Sequence, residues 1–360
     1  MNQKFNHLID MDDYSVSQWN AIIKLAQEIM RRPEAYSEKC RGKIMATLFY
    51  EPSTRTQMSF QTAMLRLGGN IIGFDNPGNS SVSKGENLKD TIKIVSSYSD
   101  ILVIRNSLEG SARAAALSAE CPVINAGDGG HLHPTQTLTD LLTMQNELGT
   151  LSGLTIGLCG DLKYGRTVHS LVKAMSCYPN NKFILISTEA LAMPSYIKEV
   201  LKARGCEYRE VRTIEEALPE LDMLYMTRIQ RERFPSIEEY QKQSSIYCLT
   251  REKMLLAKPN MIVMHPLPRI DEITVEVDDD PRAAYFRQAR NGMFVRMSLI
   301  LTTLNGELKA NPLLSGTVLK NMECRNPKCI THQEKYLPHS YHKYGDMLIC
   351  EYCDERNLHI

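Results

Sequence analysis

Short apolar runs punctuate the chain at 43–49 (KIMATLF), 70–74 (NIIGF), 100–105 (DILVIR), 121–126 (CPVINA), 154–160 (LTIGLCG), 183–187 (FILIS), 223–227 (MLYMT) and 261–265 (MIVMH). Runs this short, rich in Ile and Val and lacking apolar–polar alternation, read as parallel strands covered on both faces. The segments between them carry helical marks. One helix begins at Ser15, whose side chain can cap the first turn with Gln18 three residues on, and it turns Ile22, Ile23, Leu25, Ala26, Ile29 and Met30 inward before Pro33 stops it. Repeated strand–helix alternation predicts an α/β protein: two doubly wound parallel-sheet domains joined by helices, with four strands in each half. A helix over 134–149 connects the halves, and another, roughly 282–304, returns to the first domain. The expected domains are 1–135 with the return helix at about 286–308, then 150–285, then a small C-terminal module over 318–360. The stretch NPLLSGT (311–317) sets that module apart from the body.

Composition narrows the functional classes. The 360 residues suffice for two ordinary cores and an appendage, and Lys plus Arg equal Asp plus Glu at 42 each. No overall field therefore draws the chain to nucleic acid or to an anionic membrane, and any anion site must arise from local clustering. No apolar run approaches a membrane span, and the N-terminal stretch lacks the layout of a secretion signal, so a cytoplasmic location is expected. Six cysteines (Cys40, Cys121, Cys159, Cys177, Cys206, Cys248) are scattered singly, whereas four crowd into the last 37 residues. In a reducing compartment the first group reads as small core residues and the second as metal ligands.

Candidate chemistry lies just past the strands. In open α/β sheets ligands bind outside the carboxyl ends of the strands, where the loops face one crevice. The residues there are Glu51-Pro-Ser-Thr-Arg-Thr, Arg105, Asp161-Leu-Lys-Tyr-Gly-Arg166, Thr227-Arg228 and His265-Pro-Leu-Pro-Arg269, so cations and hydroxyls gather on one rim of both sheets. Ser53, Thr54, Arg55 and Thr56 directly precede an apparent helix, an arrangement suited to cradling a phosphate on backbone N–H groups. Arg105 ends a buried strand and requires a partner there.

The strings FYEPSTRT (49–56), SSVSKGE (80–86), HPTQ (133–136), GDLKYGRTVHS (160–170), MTRIQRER (226–233) and HPLPR (265–269) stand in the order and approximate spacing of aspartate carbamoyltransferase catalytic chains, which this chain resembles over about residues 5–308. The resemblance implies transfer of a carbamoyl group from carbamoyl phosphate to L-aspartate, in de novo pyrimidine biosynthesis. It assigns the phosphate to Ser53, Thr54, Arg55, Thr56 and Arg105, and the carbamoyl oxygen to Thr56, Arg105 and His133. The carbamoyl amide falls to Gln136 and the backbone carbonyls around Pro266 and Leu267. Arg166, Arg228 and Gln230 take the aspartate carboxylates, for which planar bidentate guanidinium groups are the apt donors. Ser81 and Lys84 lie on a polar loop that, in the family, enters a neighbouring subunit's site, so a homo-oligomer built on trimers is expected. His133 is expected to work neutral, as a hydrogen-bond donor, and the departing phosphate to accept the amine proton. Glu51 and Glu232 are expected to orient Arg166 and Arg228, and Leu267-Pro268 to hold a cis peptide. No organic cofactor is implied. Ornithine as acceptor, or an inactive scaffold, are the alternatives; Pro266 and the SVSKGE loop argue for aspartate.

Cys324-x4-Cys329 and Cys350-x2-Cys353 form a four-thiolate set of the kind that closes around structural zinc. The tail is similar to the zinc-binding part of the separate regulatory chain of some aspartate carbamoyltransferases. The larger nucleotide-binding domain of that chain has no room between the body and Cys324, so control by ATP or CTP through it is not expected. Acidic and basic residues balance in the tail, against a nucleic-acid-binding zinc ribbon. The module is expected to dock on a catalytic chain, its own or a neighbour's.

Overall fold

Helix α1 (Val16–Arg31) starts on the expected capping box: Ser15 accepts from Gln18 N, the Gln18 side chain accepts from Ser15 N, and Trp19, Ile22, Ile23, Ala26 and Ile29 are buried. The computed structural model describes residues 6–79, 81–229, 236–238, 240, 247–308 and 312–359. Two units follow from the backbone: Met1–Thr135 with Met293–Ile360, and Gln136–Gly292. The cysteine tail lies in the first of them.

The first unit holds a parallel sheet of β1 (Ile44–Phe49), β2 (Asn70–Phe74), β3 (Ile101–Asn106) and β4 (Val123–Asp128), in the order β2-β1-β3-β4. Around it run α2 (Thr54–Arg66), α3 (Leu88–Tyr98) and α4 (Ser111–Ser118). From β1 the chain goes first to β2 on one side and then to β3 on the other, so the order reverses between β1 and β3. Loops diverge at such a point and leave a crevice at the carboxyl ends. In register Phe49 lies opposite Arg105, which brings residues 50–56 and Arg105 to this switch point.

The second unit departs from expectation in one element. Its parallel sheet has five strands in the order β7-β6-β5-β8-β9, from β5 (Thr155–Cys159), β6 (Lys182–Ile186), β7 (Glu207–Val211), β8 (Met223–Met226) and β9 (Ile262–Met264). The strand the sequence hides is β7, EYREV: it pairs on one edge only, and its side chains are mostly exposed, so it needs no apolar run. Helices α5 (Pro134–Leu148), α6 (Arg166–Met175) and α7 (Ser195–Ala203) precede or connect these strands. The order reverses between β5 and β8, whose carboxyl ends lead into Asp161–Arg166 and Thr227-Arg228. The return helix spans Tyr285–Leu304, and in its first-unit part Ser298 Oγ donates to the Ile22 carbonyl of α1 at 2.8 Å. Among the described residues no helix is long and apolar enough to cross a membrane.

The tail forms an antiparallel sheet of β10 (Thr317–Val318), β11 (Ser340–Tyr344), β12 (Met347–Cys350) and β13 (Arg356–His359), with a short helix at Ile330–Gln333. It docks on its own chain. Glu109 N donates to the Lys328 carbonyl and Ile330 N to the Glu109 carbonyl, both at 2.9 Å, while Asn326 Nδ2 reaches Glu109 Oε2 at 2.6 Å. Ile330, Leu337, Tyr341 and Tyr352 join Ile9, Ile92, Ala112 and Ala115 in one apolar cluster. Gly110, at φ 84°, makes the approach possible, because a Cβ there would stand 2.5 Å from Tyr352 Cβ. Glu334, buried, accepts from Leu88 N at 3.0 Å, placing a carboxylate at the N-terminus of α3.

Candidate functional site

Ser53 is the N-cap of α2 yet makes no side-chain cap bond, so the first-turn N–H groups are not closed off by it in the usual way. Thr56 is buried and Arg55 exposed on that turn. Arg105 extends from β3 beside it: its Nη2 pairs with Glu51 Oε1 at 2.6 Å and its Nη1 donates to the Ala126 carbonyl at 3.1 Å. The sequence assigned Glu51 to Arg166 and Arg228; within its own unit its partner is Arg105. This pairing resolves the cost of a cation at the end of a buried strand, and fixes the guanidinium. Gly127 permits it, since a Cβ at its φ of 124° would stand 2.7 Å from Arg105 Nη1.

His133 is buried, with Nε2 3.5 Å from Arg105 Nη1 and Nδ1 3.5 Å from Thr135 Oγ1. Both contacts lie at the long limit of a hydrogen bond, and the donor and acceptor roles of the two ring nitrogens follow the tautomer. The first unit thus brings together Ser53, Thr54, Arg55, Thr56, Arg105 and His133 at the β1/β3 switch point. Ser81 and Lys84 sit on a single-turn 3-10 helix and are exposed.

In the second unit Arg166 opens α6 and is half-buried, as is Arg228 just beyond β8, so both belong to the β5/β8 switch point. Thr227 ties the two strand ends: its Oγ1 accepts from Asp161 N at 3.0 Å and donates to the Cys159 carbonyl at 2.9 Å. Gln230 and Glu232 lie outside the described residues. The Leu267-Pro268 peptide is cis, as anticipated, with Leu267 at φ 54°. Arg269, also on this rim, is committed to a bidentate pair with Asp278.

A buried polar network that sequence reasoning missed lies behind Gln136, Pro266 and Leu267. Asp140, fully buried, accepts from Gln136 Nε2 at 2.8 Å, Gln288 Nε2 at 2.7 Å and Tyr225 Oη at 2.9 Å. Gln288 Oε1 in turn accepts from His265 N at 2.9 Å. His265 Nε2 donates to Glu272 Oε1 at 2.8 Å, and its Nδ1 accepts from Leu267 N at 2.8 Å. The one local signal was the spacing of Gln136 and Asp140, four apart on a helix face.

The four tail cysteines are all buried, with their sulfurs within 4.8 Å of one another. Cys324 and Cys353 sulfurs are 3.5 Å apart and those of Cys329 and Cys350 3.9 Å apart. A tetrahedral ion with Zn–S bonds of about 2.3 Å separates its sulfurs by about 3.8 Å, so the set fits zinc, and the distances are far beyond a disulfide's roughly 2.05 Å. His332, near in sequence, donates from Nε2 to the Cys324 carbonyl at 2.7 Å and so braces the knuckle.

Hydroxyl and backbone donors at one switch point and guanidinium groups at another mark an α/β protein suited to anionic ligands, and comparison with known proteins narrows this class. The aspartate/ornithine carbamoyltransferase family matches through its carbamoyl-P binding domain at residues 6–146 and its Asp/Orn binding domain at 152–303. The metal binding domain of the aspartate carbamoyltransferase regulatory chain matches residues 317–358. The aspartate carbamoyltransferase catalytic subunit of Clostridium perfringens is 57% identical over 302 residues, 84% of this chain and 98% of that one. That of Clostridium novyi is 58% identical over 301 residues, with the same coverage. Among solved structures, the catalytic subunit of M. jannaschii aspartate transcarbamoylase is 45% identical with a TM-score of 0.79, covering 83% of this chain and 98% of that one. The Trypanosoma cruzi aspartate transcarbamoylase in complex with N-(phosphonacetyl)-L-aspartic acid is 40% identical with a TM-score of 0.78, covering 84% and 96%. The chain belongs to the aspartate/ornithine carbamoyltransferase family, and it carries the metal-binding domain of the aspartate carbamoyltransferase regulatory chain on the same polypeptide.

Proposed function

We propose that this chain transfers the carbamoyl group of carbamoyl phosphate to the amine of L-aspartate, giving N-carbamoyl-L-aspartate and phosphate for pyrimidine biosynthesis. The observation that carries the reading is Arg105, clamped by Glu51 and the Ala126 carbonyl at a strand-order reversal beside the uncapped turn Ser53–Thr56 and His133. Ser53, Thr54, Arg55, Thr56 and Arg105 hold the phosphate, where backbone N–H groups and the helix dipole favour an anion. Thr56, Arg105 and His133 donate to the carbamoyl oxygen; for His133 this requires a ring N–H to face the substrate, which the neutral imidazole supplies from one nitrogen. Charge that builds on that oxygen during attack is stabilised by donors already fixed in place, each worth about 2.7–4 kcal/mol.

Arg166, Arg228 and Gln230 take the two aspartate carboxylates. The amine attacks the carbamoyl carbon, the bond to the phosphate oxygen breaks, and the leaving phosphate takes the amine proton. Lys84 and Ser81, exposed on the single chain, act in a neighbouring subunit of a trimer-based homo-oligomer. Cys324, Cys329, Cys350 and Cys353 hold one zinc ion, which organises the tail and takes no part in the transfer. The protein works in the cytoplasm.

Purified full-length protein supplied with carbamoyl phosphate should carbamoylate L-aspartate and leave L-ornithine unchanged. Carbamoylation of ornithine, or of neither, overturns the assignment. Mixing inactive Lys84→Ala with inactive Arg55→Ala protein should restore part of the activity; no recovery removes loop exchange.

A further inference from the structure

Within the proposed transfer, the family resemblance implies Gln136, Pro266 and Leu267 as the acceptors of the carbamoyl NH2, and the inference that follows rests on that assignment. A primary amide offers a donor face and an acceptor face, and only its surroundings decide which one meets a ligand. Here the decision is made by Asp140. Its carboxylate is fully buried and meets three donors, the Gln136 and Gln288 amide nitrogens and the Tyr225 hydroxyl, at 2.7–2.9 Å. With its NH2 turned to Asp140, Gln136 directs Oε1 away from the network, the orientation needed to receive an N–H from substrate. Gln288 is oriented by the same carboxylate, and its own Oε1 is thereby presented to His265 N. His265, fixed by Glu272, holds Leu267 N on Nδ1 and so sets the turn that carries the Pro266 and Leu267 carbonyls.

We propose that Asp140 is a positioning residue that fixes, through Gln136 and through Gln288–His265, both sets of acceptors that recognise the carbamoyl NH2, and so makes the enzyme selective for a carbamoyl over an acyl phosphate donor. A bland role is available to the same geometry: a satisfied polar network that only stabilises the second unit. The two differ in what they do to a donor lacking the amide. Acetyl phosphate has a methyl group where carbamoyl phosphate has NH2, keeps the carbonyl oxygen and phosphate, and would leave these half-buried acceptors unmatched.

The experiment compares kcat/KM for carbamoyl phosphate and for acetyl phosphate, with L-aspartate saturating, in the wild type and in Asp140→Asn, with thermal unfolding measured alongside. An asparagine presents an NH2 as well as an oxygen, so Gln136 is free to turn over. The expected result is a fall of about 10²-fold with carbamoyl phosphate and a change below about threefold with acetyl phosphate. Equal losses on both donors, or no loss on either, overturn the proposal. Gln288→Met provides a second reading should Asp140→Asn fold poorly: the carbamoyl-to-acetyl ratio should fall about tenfold, and an unchanged ratio overturns the proposal as well. Tyr225→Phe removes a donor to the same carboxylate without touching either acceptor, so it should leave the ratio intact; a changed ratio counts against the scheme. Failure of the wild type to form carbamoyl-aspartate would strike the functional reading instead, so the two failures are told apart.

Discussion

Each unit buries a charged side chain held by hydrogen bonds without a salt bridge among the described residues, and the two differ in sign. In the first unit it is Arg296, whose Nη1 donates to Ser59 Oγ at 3.1 Å while the guanidinium lies 5.0 Å from the Phe60 ring centroid. Burial, and then the charge of Arg105, push its pKa down to about 10, so it is still a cation at neutral pH. In the second unit it is Asp140, which burial pushes up to about 7 against the pull of its three hydrogen bonds. Removing a charge from water costs several kcal/mol, and a fold retains one where its field or its bonding is used. Ser59 and Phe60 lie one turn beyond Ser53–Thr56 on α2, so Arg296 places a fixed positive charge behind the proposed phosphate site. Asp140 instead stands behind a neutral amide, and the contribution proposed for it is direction.

That contrast can be broken by titration, and the largest effect belongs to Asp140. Its folded pKa of about 7 lies above the ordinary 3.8, so between those values the native state holds a proton that the unfolded chain has lost. Stability should therefore fall as pH rises through this window, by at most roughly 4 kcal/mol. Urea unfolding from pH 4 to pH 8 should show this slope in the wild type and not in Asp140→Asn; identical slopes would mean the carboxyl titrates normally.

A buried histidine of the first unit behaves in the opposite sense. His7, which accepts from Val123 N at 3.1 Å, is pushed down to about 4 by burial. Between pH 6.5 and about 4 the unfolded chain binds the proton that the native state refuses, so stability is lost as pH falls, by roughly 3 kcal/mol. His7→Asn should flatten the acid limb in the same titration.

Arg296→Met provides the smallest and most selective test. Replacing an unpaired buried cation with an apolar side chain often leaves stability unchanged or raised. The Tm should hold, while KM for carbamoyl phosphate rises about tenfold, roughly 1.4 kcal/mol, and KM for aspartate stays within about twofold. Equal shifts in both would make Arg296 a general structural prop.

These residues also mark where sequence reading stops. Strands β1 and β8 announce themselves as apolar runs because both faces are covered, whereas β7, an exposed edge, has no such need. The cations were legible by their place after strands, since a doubly wound sheet forces those positions to its carboxyl rim. Asp140 was not, because its burial is made by Tyr225 and Gln288, 85 and 148 residues away. Likewise the cysteine spacing announces a metal site, but docking of the tail on its own chain depends on Glu109 meeting Lys328 and Ile330, which no local pattern encodes.

In the proposed function Arg105, held by Glu51, acts on the transferring group rather than on the fold. Carbamoyl-aspartate formation by Arg105→Ala, measured beside its Tm, addresses it directly. The variant should lose at least about 10²-fold in kcat while its Tm stays within a few degrees of the wild type. Activity near the wild-type level in a folded protein would contradict it.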